Sequence, residues 1–283
     1  MAASLSEKAM LVHLRVSMWT GSRKNKKVSQ QVCNEFQADA DAGSWWTYYI
    51  PRKDLADLQS AANRLRAAWK NQTLPWMDEG IRIVPSVSFM EYSANMRKAL
   101  QTYEDAVERF LTRYPTIVAD MPRRLKQMLD SKPMPSVSDL RSKFGAKMMI
   151  FPIPDAKDFR VDLAEDEIAE IRKETESAVQ EMTNRAMGSV WKKMKDVVEK
   201  METTLSDPDK KFKDSLVGNL IQLCIDLPHL NLTENEEMEQ VRKEMIDKLC
   251  RLIPDTLRTD KAARKEAAKK AEDIKKKLEQ YAL

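Results

Sequence analysis

Apolar residues stand at every second position in Val12-His13-Leu14-Arg15-Val16-Ser17-Met18, the alternation of a half-buried strand with His13 on its polar face. Gly21 permits a turn after it. Val28, Val32 and Phe36 then recur every fourth residue, which predicts a short helix. The run "SWWTYYIP" at 44–51 is rich in strand formers and stops at a proline. Leu55, Leu58, Leu65 and Trp69 fall on one face of a helix over 53–71. Residues 81–89, "IRIVPSVSF", predict another strand, which Pro85 restricts to an edge or a bulge.

Longer periods follow. Met96, Leu100, Tyr103, Val107 and Phe110 step by 4, 3, 4 and 3, a heptad seam that Pro115 ends or kinks. A further helix is expected over roughly 116–131, and "AKMMIFPIP" at 146–154 reads as a buried strand. Asp162 with Glu165 resembles a capping box opening a helix over 163–205, about 43 residues and roughly 65 Å long. Its apolar positions include Ile168, Ile171, Met182, Ala186, Val190, Met194, Val197 and Met201. Their spacing slips near Gly188, which predicts a gently bent seam. Asp207-Pro208 suggests the start of a helix running to Ile225, and Thr233 with Glu236 another reaching Leu252. The tail "RTDKAARKEAAKKAEDIKKKLEQYAL" favours helix but has few large apolar residues, so it is expected to hug a partner weakly or to project.

These elements predict a mostly α protein with a small α+β head, and long antiparallel helices in a coiled-coil-like body. The head is placed at 1–160, with three or four short strands and the helices of 90–131. The long-helix body and basic helical tail are placed at 161–283. Two seams need covering, by each other or by a second copy of the chain.

Composition narrows the chemistry. Only 6 glycines stand in 283 residues, all isolated, so neither GxxxxGK[ST] nor GxGxxG is present to cradle phosphates. GxSxG and HExxH are also missing, and Cys224, Asp226 and His229 match no structural zinc spacing. No enzyme, metal or cofactor is expected. Three separated cysteines outside any CxxC arrangement suit buried free thiols in a reducing cytoplasm. The apolar runs are too short for a membrane span, so no membrane association is expected. A net charge of +4, from 48 basic and 44 acidic side chains, confines any basic function to local patches.

Two kinds of binding feature stand out. Arg23, Lys24, Lys26 and Lys27 form a basic loop, and Arg123 and Arg124 a second cluster. Trp19, Trp45, Trp46, Tyr48 and Tyr49 offer stacking faces near the first. Cations on phosphate plus aromatics on bases is how single strands are held without sequence preference. Strand alternation would bury one pair, Trp46 and Tyr48 or Trp45 and Tyr49, and expose the other. Seventeen methionines, many on the seams, suit core packing or an adaptable interface. The interface candidates are therefore Met96, Leu100, Tyr103, Val107 and Phe110, with Ile171, Met182, Val190, Met194, Val197 and Met201.

The segments "SMWTGSRKNKK", "WWTYYIPRKDL", "FMEYSANMRKALQTYEDAVERFL", "DLRSKFG" and "LAEDEIAEIRKE" together resemble a family of phage and mobile-element proteins of unknown function, over roughly residues 10–205. The resemblance implies genes often placed near a MoxR-type AAA+ ATPase and sometimes near recombination genes. It implies no catalytic residue. The leading expectation is a non-catalytic accessory protein of the host bacterial cytoplasm that self-assembles or docks a protein partner, such as the ATPase, through its long helices. The alternative is a single-stranded or non-specific nucleic-acid-binding module aiding phage recombination, and a third reading is an inhibitor of a host defence complex.

Overall fold

A computed structural model describes residues 5–77, 80–129, 131–155 and 165–281. A one-turn helix α1 (Leu5–Lys8) leads into strand β1 (Ala9–Ser17), strand β2 (Ser22–Lys24), helix α2 (Lys26–Glu35), strand β3 (Trp46–Tyr48) and helix α3 (Arg52–Asn71). Strands β4 (Leu74–Pro75) and β5 (Ile81–Pro85) precede the long helix α4 (Phe89–Leu125), the short α5 (Val137–Arg141) and strand β6 (Gly145–Phe151). The remainder is helical: α6 (Glu165–Ser206), α7 (Ser215–Leu230), α8 (Glu236–Met245) continuing into a π-helical turn (Ile246–Cys250), α9 (Pro254–Thr259) and α10 (Lys261–Leu278). The protein is mostly α with a small β component, as the periodicities predict. Asp162, the expected cap of α6, lies outside the described residues.

The sequence places one boundary near residue 160, whereas contacts group the chain into two interleaved units. One holds Met1–His13, Lys70–Tyr92 and Met149–Leu283; the other holds Leu14–Trp69 and Ser93–Met148.

In the first unit, β1 pairs antiparallel with β5, Leu11 opposite Ile83, and β5 pairs in turn with β4. The full sheet order is β4-β5-β1-β6. Ala9, Leu11 and Ile83 share one core with α6 residues Val190, Met194, Val198 and Met201. Val12 and Val84, on the opposite face, are also fully buried. Strand β1 is therefore covered on both sides, not half-buried as its alternation from Val12 suggests. The apolar residues at 9–12 carry that second face. Strand β5 is interior to the sheet and not an edge, because Pro85 is its last residue, where a missing N–H costs little. Strand β6 is an edge strand, with Ile150 and Phe151 exposed where a buried strand is expected.

The cover for α6 is α10, the tail expected to bind weakly or project. Ala267, Ala268, Ala271, Ile274 and Leu278 are buried in the same core as Trp191, Met194 and Met201. Small alanine side chains let the helix axes approach, and the bulk comes from the α6 side. The two helices run antiparallel. Arg264, in the first turn of α10, reaches the last turn of α6, while Tyr281 stacks on Trp191 with centroids 4.5 Å apart.

Arg264 also explains the end of α6. It is buried and donates to the carbonyls of Thr204 (2.8 Å), Leu205 (3.2 Å), Asp207 (2.5 Å) and Lys210 (2.8 Å). The last carbonyls of a helix have no partner within it and carry the negative end of its dipole, so a guanidinium there serves both needs. The same bonds hold 207–210 as a loop. Asp207 accordingly makes a local turn by accepting from the Asp209 N–H (3.0 Å), and the next helix starts at Ser215 and not at Pro208. Helix α8 is capped by Asn235, whose side chain accepts from the Met238 N–H, in place of Thr233.

In the second unit, α3 buries Leu55, Leu58, Ala61, Ala62, Leu65 and Trp69, close to the predicted face. Helix α4 passes through Pro115 and Pro122 without stopping, so the helices predicted on either side of Pro115 are one. Both prolines are exposed, so their rings displace no packed side chain, although the carbonyls of Leu111 and Val118 lose their helical donors. Tyr103 donates to the Ser17 carbonyl (2.8 Å), and burial raises its phenol above the usual range. Phe110 meets Phe144 edge-on, with centroids 5.7 Å apart. Arg113 pairs with Asp54 at 2.5 Å, and Arg141 with Glu108.

Candidate nucleic-acid interface

The basic stretch at 23–27 is not a loop tip. Residues 22–24 form β2, which pairs with β3 in a two-stranded ribbon: Ser22 opposite Tyr48, Arg23 opposite Thr47 and Lys24 opposite Trp46. Helix α2 is inserted between the strands. Gly21 starts the ribbon at φ +64°, and its carbonyl accepts from the Tyr49 (2.9 Å) and Ile50 (3.2 Å) N–H groups. Any Cβ at this position would lie 2.8 Å from that of Ile50, so the backbone angle and the space both select glycine.

Successive strand side chains point to opposite faces, which sorts the residues. The inner face holds Arg23 and Thr47. Thr47 is buried and accepts from the Asn25 side-chain amide at 3.2 Å. Arg23 lies over the Tyr49 ring at 5.1 Å and donates to the carbonyls of Lys132 (3.4 Å) and Pro133 (2.9 Å). The outer face presents Lys24 and Trp46 side by side, with Ser22 and Tyr48 as the next pair. Trp45, Trp46 and Tyr48 are 44%, 50% and 38% exposed, while Tyr49 is buried. The expected choice between alternate pairs therefore fails: three of the four aromatics face solvent, because the strand ends at Tyr48 and the chain turns inward at Tyr49 and Ile50.

Neighbouring elements complete the surface. Asn25 caps α2 by accepting from the Val28 N–H (3.1 Å), which places exposed Lys26 and Lys27 in the first turn beside Lys24. At the start of α3, the Arg52 guanidinium lies 4.5 Å from the centre of the Tyr48 ring and donates to its hydroxyl at 2.6 Å. That contact fixes the ring and adds a cation to the same edge. Asp39 and Asp41 are exposed in the loop between α2 and β3.

Arg124 belongs to the support, not to the surface. It donates to the carbonyls of Tyr48 (2.5 Å) and Tyr49 (2.6 Å), and so ties the end of β3 to α4. Tyr49 packs there with Met121 and Leu125. Arg123 is exposed and paired with Asp120 at 2.6 Å; hydrogen bonding from Arg123 holds the Asp120 carboxyl below its usual range, and the same bond raises Arg123. Of the six basic candidates, Lys24, Lys26 and Lys27 carry their charge on open surface, whereas Arg23 and Arg124 position the ribbon. Arg52 is an addition. Its signal in the sequence is faint, an arginine four residues after Tyr48 but across the Pro51 turn.

Most residues of the methionine-rich seams are buried within their own units. Met96, Tyr103, Val107 and Phe110 are buried in the second unit, and Val190, Met194 and Met201 in the first. Met182 and Val197 are half-buried against the first unit's core, and Leu100 and Ile171 are also half-buried. Their period reflects packing within the chain. No three His, Cys, Asp or Glu side chains converge on a metal-sized site among the described residues. No helix among those residues is long and apolar enough to cross a membrane. No protein-family profile, curated protein or solved structure matches the chain.

Proposed function

We propose that the protein is a non-catalytic module that holds single-stranded nucleic acid on the outer face of the β2–β3 ribbon. The observation that carries this reading is the pairing of Lys24 with Trp46, flanked by exposed Trp45 and Tyr48 and by Arg52. An exposed indole beside a lysine supplies both halves of sequence-tolerant strand binding: a flat face for a base and a charge for the adjoining phosphate. The ribbon is held from behind by Arg23, Arg124 and Gly21, so the aromatics are presented on a fixed frame. This keeps the accessory role in phage nucleic-acid metabolism that the resemblance implies. It moves that role from helix-mediated assembly, whose seam residues are largely buried in the chain's own core, to the ribbon.

Fluorescence anisotropy with a labelled oligonucleotide tests it. Each stacked base is worth about 1–3 kcal/mol, so Trp46→Ala with Tyr48→Ala should weaken binding roughly tenfold or more. Lys24, Lys26 and Lys27 replaced together by alanine should lower the salt slope by about 2, at roughly 0.7 per phosphate contact. All five positions are exposed, so the urea midpoint should hardly move. Binding that is undetectable at low salt, or that both variants leave intact, would remove the ribbon from consideration.

A further inference from the structure

Cys224 and Cys250 lie 26 residues apart in sequence, yet their Sγ atoms are 3.6 Å apart. We propose that these two residues are a reversible dithiol–disulfide pair, oxidised by hydroperoxide, that staples α7 to the π-helical turn. The sulfurs need to close by only about 1.5 Å to reach the disulfide length of about 2.05 Å.

Local structure assigns different roles to the two thiols. Cys224 is buried in the core on α7, whereas Cys250 is half-exposed at the end of the π turn. A π turn accommodates one extra residue. Leu249 and Cys250 consequently both face inward, after Met238, Val241 and Met245 have followed ordinary helical spacing. Without the bulge the inward position would belong to Leu249 alone. The hydrogen bond between the sulfurs holds Cys250 below the usual thiol range and, joined by burial, pushes Cys224 above it. The more accessible sulfur is thus the one that ionises first, as an attacking thiolate requires. Arg242 keeps a positive charge nearby through its bond to the Cys224 carbonyl at 3.3 Å.

The chemistry balances with one equivalent of hydrogen peroxide. The Cys250 thiolate attacks one peroxide oxygen; the O–O bond breaks, the departing hydroxide takes a proton to become water, and Cys250 is left as the sulfenic acid. The Cys224 sulfur then attacks the Cys250 sulfur, its proton leaves with the hydroxyl as a second water, and the S–S bond forms. Two thiols are oxidised and one peroxide is reduced. Cys33, buried in the second unit, takes no part.

Exposure of the purified full-length protein to peroxide, followed by intact mass, thiol titration and peptide mapping, tests this. The expected result is a loss of two hydrogens, a fall in free thiols from three to one, and a single cross-link between the Cys224 and Cys250 peptides. Dithiothreitol should reverse all three, and the melting temperature should rise on oxidation and return on reduction. In Cys224→Ser the sulfenic acid should persist and be trapped at Cys250 by dimedone, a reagent expected to label the wild type weakly. Three free thiols after peroxide treatment, irreversible sulfinic acid at Cys250 in the wild type, or cross-links that include Cys33 would overturn the proposal. The wild-type mapping alone decides the matter even if a variant fails to fold.

Discussion

Gly21 shows how much one residue decides. Its positive φ and its contact with Ile50 set the point where β1 gives way to the ribbon, and its carbonyl takes two N–H groups from the far side of β3. Gly21→Ala should cost about 1–3 kcal/mol, from backbone strain and the clash with Ile50. A lowered urea midpoint, with anisotropy showing weaker oligonucleotide binding in the folded fraction, would check both consequences. At this scale the sequence was legible in part. A glycine after an alternating run marks a turn, and clustered lysines mark a surface. Which arginines would turn inward was not legible, because Arg23 and Arg124 find their carbonyl acceptors 109 and 76 residues away.

At the scale of elements, the pairing of α6 with α10 is the most informative. Periodicity marks α6 and helix-forming composition marks α10; of the seam positions, Val190, Met194 and Met201 are buried, while Val198 and Trp191 take the inward places beside the half-buried Val197. What covers that seam is not legible from side-chain size alone. An alanine stripe looks like weak packing in one dimension, yet in three it is the complement of a Trp- and Met-rich face. The arginine in the first turn of α10 carried a further signal, a lone guanidinium at the head of that stripe. Arg264→Met should destabilise the protein by about 3 kcal/mol, since four carbonyls lose their donor in a buried setting. Arg264→Lys should recover only part of this, because an ammonium lacks the planar fork. Thermal or chemical denaturation of both variants would rank them. Prolines are ambiguous in a similar way: Pro115 and Pro122 lie exposed within one continuous helix, and whether a helix can accommodate the ring cannot be read from the residue itself.

For the whole molecule, a surface tie between α8 and α10 gives a pH signature. Glu244 accepts from Lys277 at 2.6 Å and from Lys248 at 3.1 Å. The Lys277 hydrogen bond, then that of Lys248, holds its carboxyl below the usual glutamate range despite some burial. A carboxyl depressed in the folded state stabilises the fold at neutral pH, and that contribution is lost as pH falls through the depressed value. Glu244→Gln should therefore be less stable than the wild type at pH 7, with the difference vanishing below the carboxylate range. Urea midpoints measured from pH 7 to pH 2 would show the two curves converging. The two-unit arrangement was the least legible feature of all. The predicted strands give way to long helices near residue 160, whereas the contacts that define the units join β1 and β5 to helices that begin 80 or more residues later.

That interleaving imposes an order on synthesis. Every residue of the ribbon-bearing unit has left the ribosome soon after Met148, so its frame can close while the chain is still growing. The first unit must wait for α10. Until then the apolar faces of β1 and β5 lack their α6 and α10 partners, so the nascent chain carries a finished basic–aromatic surface and an unfinished core. The part that matures first during translation is thus the part proposed to touch nucleic acid, and the period of greatest aggregation risk falls on the final third of the sequence.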